Sequence, residues 1–114
     1  MPLLPSLKEK KRYLVFETIC EKKILFKDIA AAIDDSLHHY IGLLGTSQAG
    51  MQILQEKWNQ SQQKGIIRIN HKYVDHLKAS LALIKKIKNQ QITLRSVGVS
   101  GILKKTQKYF EVKK

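Results

Sequence analysis

The chain has 114 residues, 43% of them hydrophobic and 26% charged, and 21 Lys and Arg against 9 Asp and Glu leave a net charge of +12. This length accommodates one hydrophobic core and not two, and the apolar fraction argues against global disorder. No apolar run approaches the roughly 20 residues needed to cross a bilayer, and Cys20, the only cysteine, leaves no internal disulfide or thiolate cluster within one chain.

Met1 to Ser6 are apolar and punctuated by proline. Lys8, Lys10, Lys11 and Arg12 then stand where a cleavable signal would need its apolar stretch, so a cytoplasmic location is expected. Arg12 to Cys20, RYLVFETIC, is rich in aromatic and β-branched residues and predicts a central strand. Tyr13, Val15 and Ile19 fall on one side of it and Leu14, Phe16 and Cys20 on the other, which predicts cover on both faces of the sheet.

Ile29, Ile33, Leu37, Tyr40 and Leu44 are then spaced three or four apart, as on one face of a long helix. Gly42 and Gly45 interrupt it, and residues 47–51 around Gly50 suit a short helix or a turn. Met51 to Asn59 and Gly65 to Asn70 read as a hairpin joined by the polar SQQKG. Tyr73, Leu77, Leu81 and Ile84 predict a second long helix, with Asn70 or a neighbour as its cap and Asn89 to Gln91 as its end. Ile92 to Val99 predicts a fourth strand, with Ile92 and Leu94 on one side and Thr93, Arg95 and Val97 on the other. Leu103 to Lys114 is basic, with Tyr109, Phe110 and Val112 as apolar anchors, and is compatible with a short helix or a frayed tail.

The order strand, helix, strand, strand, helix, strand is that of the α+β ferredoxin-like (split βαβ) sandwich, a four-stranded antiparallel sheet with both long helices on one face. The first and third strands are central in that topology, and Ile69 falls in the core. The whole chain, 1–114, is expected to be one domain with a basic segment at 1–11 and a basic tail at 103–114.

Catalytic arrangements are hard to find. Asp34 and Asp35 are adjacent in a helix and diverge by about 100 degrees, so a solvated helix face is the better reading. His38 and His39 share that geometry, and His71 with His76 lacks the spacing that sets two metal ligands on one helical face. Cys20 ends an apolar strand with no base in its vicinity and reads as an inert buried thiol. No catalytic and no metal-ligating residues are expected.

The charge is more informative. An excess of +12 favours a phosphate-bearing partner. Base stacking on the sheet is disfavoured, because Lys64 and Gly65 are followed by Ile66, Ile67, Arg68 and Ile69 where an RNA-recognition motif would carry aromatics. Backbone contacts fit better. By clustering, the candidate RNA-binding residues are Lys8, Lys10, Lys11 and Arg12 at the start, Arg68 and Lys72 around the third strand, and Lys104, Lys105 and Lys108 near the end.

Three stretches together, LPSLKEKKRYLVFE at 4–17, KGIIRINHKYVDHLKASLALI at 64–84 and LRSVGVSGILKK at 94–105, resemble the archaeal ribonuclease P protein component 2 family. The resemblance runs in order over nearly the whole chain and is weakest from Ile41 to Gln63. The sequence departs from the family pattern at Ser96 and Ile102, where threonine is expected, and in the lysine-rich run Lys85, Lys86 and Lys88.

The resemblance implies the ferredoxin-like sandwich with short added helices. It also implies a subunit of the ribonucleoprotein that removes the 5′ leader from precursor transfer RNA. Catalysis would belong to the RNA subunit with its magnesium, and this chain would bind no cofactor of its own. The implied partners are ribonuclease P RNA, precursor transfer RNA and ribonuclease P protein component 3, with a homodimer or heterotetramer among the assemblies allowed and no membrane. The alternatives are a generic ferredoxin-like RNA-binding or ribosomal protein and, behind it, a small regulatory domain.

Overall fold

A computed structural model describes residues 10–110. Its elements in chain order are β1 (Lys11–Ile19), α1 (Phe26–Ala49), β2 (Gln52–Ile53), β3 (Lys64–Asn70), α2 (Val74–Leu83), β4 (Lys86–Ile87), β5 (Gln90–Gln91) and β6 (Thr93–Ser100). Short 3-10 helices lie at Gln55–Lys57, His71–Tyr73 and Leu103–Tyr109. The main sheet has the order β2-β3-β1-β6, all antiparallel, so the first and third major strands are central, as in a ferredoxin-like sandwich.

β1 and β3 occupy the centre because both of their faces are buried. Leu14 and Phe16 of β1 and Ile67 and Ile69 of β3 join one core cluster with Ile29, Ile33 and Leu37 of α1 and Leu77 and Leu81 of α2. Each such side chain taken from water contributes about 1.5–3 kcal/mol. The two helices touch through small residues: Ser80 is fully buried and its carbonyl accepts a 2.7 Å hydrogen bond from Ser36 Oγ.

The opposite face is covered by the Leu103–Tyr109 helix, so the basic tail expected at 103–114 is in large part an ordered element. Seven residues is long for a 3-10 helix, and side chains hold its far end. Lys64 Nζ donates to Tyr109 O at 2.9 Å, Gln62 Nε2 donates to Phe110 O at 2.9 Å, and Thr106, in the middle of the helix, is buried. Val15 and Ile66, on the sheet face beneath, are 0% and 2% exposed. The alternation of Ile92 to Val99 does not run unbroken. The register places Val15 opposite Gly98 and Phe16 opposite Ser96, so Val97 is an extra residue. This bulge turns Val99 toward the helices, opposite Leu14, and leaves Gly98 on the covered face, against the Tyr109 ring. A Cβ at Gly98 would overlap that ring. Gly98→Val is therefore expected to lift the Leu103–Tyr109 helix, cost about 1–3 kcal/mol and speed amide exchange at 103–109 while leaving β1 and β3 protected. Unchanged exchange there would refute the contact.

Three expectations need correction. The first helix extends to Ala49, but Gly42 leaves helical geometry at φ 78°, ψ 179°, and the expected apolar stripe ends with it. Tyr40 and Leu44 are 45% and 72% exposed, and left-handed Gly50 ends the helix. The strand expected over Met51 to Asn59 is reduced to Gln52–Ile53 plus a 3-10 turn and an isolated bridge between Asn59 and Lys64. β3 begins at Lys64 and takes in Gly65 as expected, and the positive φ in the loop before it is Gln63's, at 54°. A Cβ on Gly65 would come within 2.8 Å of the Phe16 ring, which itself stacks on Trp58.

The second helix stops at Leu83, ten residues long and well before Asn89, with Asn70 Oδ1 capping Lys72 N at 3.0 Å ahead of it. Continued helix would crowd Lys85, Lys86 and Lys88 within one turn. The chain instead forms the β4–β5 hairpin, which returns Ile92 beside Ile84 and Ile87 in the core cluster.

Candidate nucleic-acid interface

β1 begins where β3 and β6 end, and this end of the sheet gathers most of the candidate basic residues. Lys11 lies opposite Asn70, Arg12 opposite Ile69, and Tyr13 opposite both Arg68 and Ser100. Lys10 is exposed, and its carbonyl accepts from His71 N at 2.8 Å and contacts His71 Nδ1 at 3.1 Å, which brings the 3-10 turn holding exposed Lys72 alongside. Arg12 packs beside Gly101, and exposed Lys104 and Lys105 open the helix that follows.

The guanidinium groups are constrained rather than waving in solvent. Arg12 Nη1 donates to Lys11 O at 3.1 Å. Arg68 shares the sheet face of Tyr13 and Gln52, and its Nη1 reaches Gln52 Oε1 at only 3.4 Å. Arg68 Nε is buried with no partner, which leaves the group with unused donors. Of the nine candidates, Lys108 stands apart, near the far end of its helix, 5.2 Å from the Tyr109 ring centroid. Lys8 lies outside the described residues.

The carboxylates and imidazoles singled out earlier do not converge. Asp34 and Asp35 are exposed on α1, and His39 Nδ1 lies 2.9 Å from the Asp35 carbonyl one turn back. His76 packs against the rings of Tyr40 and Tyr73. Among the described residues no three of His, Cys, Asp and Glu gather as a metal ion would require. Burial pushes the Cys20 thiol up, against a smaller lowering by a backbone hydrogen bond at Ile24.

Two features had no clear sequence signal. Gln63, buried in a left-handed conformation, ties the loop after β1 to the start of β3. Its Oε1 accepts from Ile24 N at 3.0 Å, its Nε2 donates to Ile24 O at 3.2 Å, and its carbonyl accepts from Thr18 N at 2.8 Å. The second is another basic group at the opposite end of β1, where Lys22, Lys85 and Lys88 line one open groove. Its only sequence signal was the lysine run after Ile84.

The relatives of the chain agree with this architecture. Residues 12–111 match the Rpp14/Pop5 family. The chain belongs to that family. It is 37% identical over 110 residues to ribonuclease P protein component 2 of Methanosarcina mazei, covering 96% of this chain and 91% of that protein. It is 30% identical over 108 residues to the component 2 protein of Thermococcus kodakarensis, covering 95% and 88%. A chain in the cryo-EM structure of yeast ribonuclease MRP shares the fold at a TM-score of 0.65 and 12% identity, covering 82% of this chain and 76% of that one.

Proposed function

We propose that this member of the Rpp14/Pop5 family is the component 2 protein subunit of ribonuclease P, which takes part in removing the 5′ leader from precursor transfer RNA. The observation that carries the reading is the similarity to component 2 proteins over nearly the whole length of both chains. In this reading the RNA subunit, with magnesium bound to it, supplies the hydrolysis. The chain contributes a basic surface at the sheet end, where Lys10, Lys11, Arg12, Arg68, Lys72, Lys104 and Lys105 hold and position phosphates without reading bases. Protein component 3 is the expected protein partner, and the apolar side chains of Leu43 and Leu44, 76% and 72% exposed, are available to such a contact.

Reconstitution tests the role directly. Ribonuclease P RNA and the other protein subunits are assembled with and without this chain, and cleavage of a precursor transfer RNA is followed over a range of magnesium concentrations. The chain is expected to raise the cleavage rate or lower the magnesium requirement, and to cleave nothing when alone. Equal rates with and without it would refute the assignment. Magnesium-dependent cleavage by the purified chain, lost in Asp34→Ala or Asp35→Ala, would place chemistry in the protein and refute the supporting role.

A further inference from the structure

The β4–β5 hairpin turns through Lys88 and Asn89, both left-handed at φ 51° and 63°. A two-residue turn of this kind favours Asn followed by Gly. Asparagine tolerates the conformation, but a lysine there is strained in a way a glycine would not be. The turn sits on a rigid base. Ile84, Ile87 and Ile92 are all buried, Ile92 N donates to Lys85 O at 3.0 Å, and Lys22 N donates to Gln90 Oε1 at 2.7 Å. The loop after β1 and the hairpin therefore form two fixed walls of an open groove of about 890 Å³.

Lys22, Lys85 and Lys88 line the groove together with the amides of Asn89 and Gln91, and Glu21 is the one carboxylate in its wall. Asp28, its side chain only 20% exposed, lies 3.7 Å from Lys88 Nζ, but the Lys88 side chain is 71% exposed, so water screens this long contact and the ammonium keeps donors free for a phosphate. We propose that this groove is a second RNA-backbone site, in which the three ammonium groups take phosphates and the amides bond phosphate oxygens or ribose hydroxyls. The inference rests on the ribonuclease P reading and adds a contact surface to it. The site lies at the far end of β1 from the first basic cluster, about 26 Å away at roughly 3.3 Å per strand residue. One protein molecule then holds RNA at two points. Strain kept at a solvent-facing lysine is the kind of outlier that points to a functional contact. RNA is favoured over a protein partner because, although Ile19 and Ile92 also line the groove, its polar lining is mostly lysine and amide and it holds no aromatic side chain, whereas protein interface cores are depleted in lysine and built on aromatic anchors.

The test measures binding of the full-length chain to a ribonuclease P RNA transcript as a function of salt. Lys88→Gly is expected to weaken binding while leaving the thermal midpoint unchanged or raised, since glycine relieves the turn. The combined variant Lys22→Ala, Lys85→Ala and Lys88→Gly is expected to lower the slope of log affinity against log salt by roughly two. A parallel variant carries Lys10→Ala and Lys72→Ala at the other end of the sheet. If the groove variants bind as wild type while the sheet-end variant is weakened, the groove assignment falls and the ribonuclease P reading stands. If neither set changes binding, both fall. Groove variants that keep RNA affinity but lose binding to protein component 3 would make the groove a protein-docking site and equally overturn the proposal.

Discussion

Aspartate in place of Ile67 is expected to unfold the protein. Ile67 is fully buried on the helix-covered face of β3, and its cross-strand neighbours there are Leu14 on one side and Ile53 on the other. Removing the buried aliphatic side chain costs about 2–5 kcal/mol. An unpaired carboxylate in the same place costs several kcal/mol more, directly or through forced protonation. A domain of this size holds only about 5–15 kcal/mol in total. Ile69→Asp provides the comparison. Ile69 is equally buried, but its neighbour on β1 is Arg12, and a guanidinium across the strand can partner the new carboxylate. Ile69→Asp is therefore expected to keep a cooperative melt at a lowered midpoint, whereas Ile67→Asp shows none by circular dichroism. Equal melting of the two would show that Arg12 gives no relief, and a wild-type melt for Ile67→Asp would contradict the register of β1 and β3.

The same residues show which parts of the fold can be read from sequence. β1 and β3 are legible because continuous burial leaves a continuous apolar run, and the buried stripe of α1 is legible at Ile29, Ile33 and Leu37 because a helix repeats its face every three or four residues. Where one residue changes the geometry, periodicity carries no warning. Gly42 at φ 78° takes Leu44 out of the stripe, Val97 as a bulge reverses the facing of β6, and Gln63 adopts the left-handed conformation that a glycine two residues on would suggest for itself. The β4–β5 hairpin has two residues per strand, too few for any alternation to register. The Leu103–Tyr109 helix is held by Lys64 and Gln62 bonding its last carbonyls, contacts some 45 residues apart in sequence that no local pattern encodes. The candidate interface follows the same division: the charge excess is a property of composition, but that Lys10, Arg68 and Lys72 meet at one end of the sheet depends on strand register.

Combined replacement of Lys10, Lys11 and Arg12 by alanine is expected to weaken RNA binding more than any other triple substitution in the chain. These residues enter the central strand at the end where Arg68 and Lys72 also lie, so three charges are lost from the densest part of the surface. Each phosphate contact contributes roughly 0.7–0.9 to the slope of log affinity against log salt, so loss of three lowers it by roughly 2–3. Preference among RNA sequences should change little, because backbone contacts position RNA without reading it. Stability must be measured alongside. Lys11 Nζ lies beside Gly50 and the Arg12 side chain beside Gly101, so alanine at either position also removes packing. Lys10→Ala with Lys72→Ala, at two exposed positions, supplies a version free of that loss and should lower the slope by between one and two. In the reconstituted enzyme, cleavage by the triple variant should fall at high salt and recover at low salt, where the remaining charges suffice. A triple variant that melts as wild type and keeps affinity, salt slope and cleavage unchanged would remove the start of β1 from the RNA-binding surface.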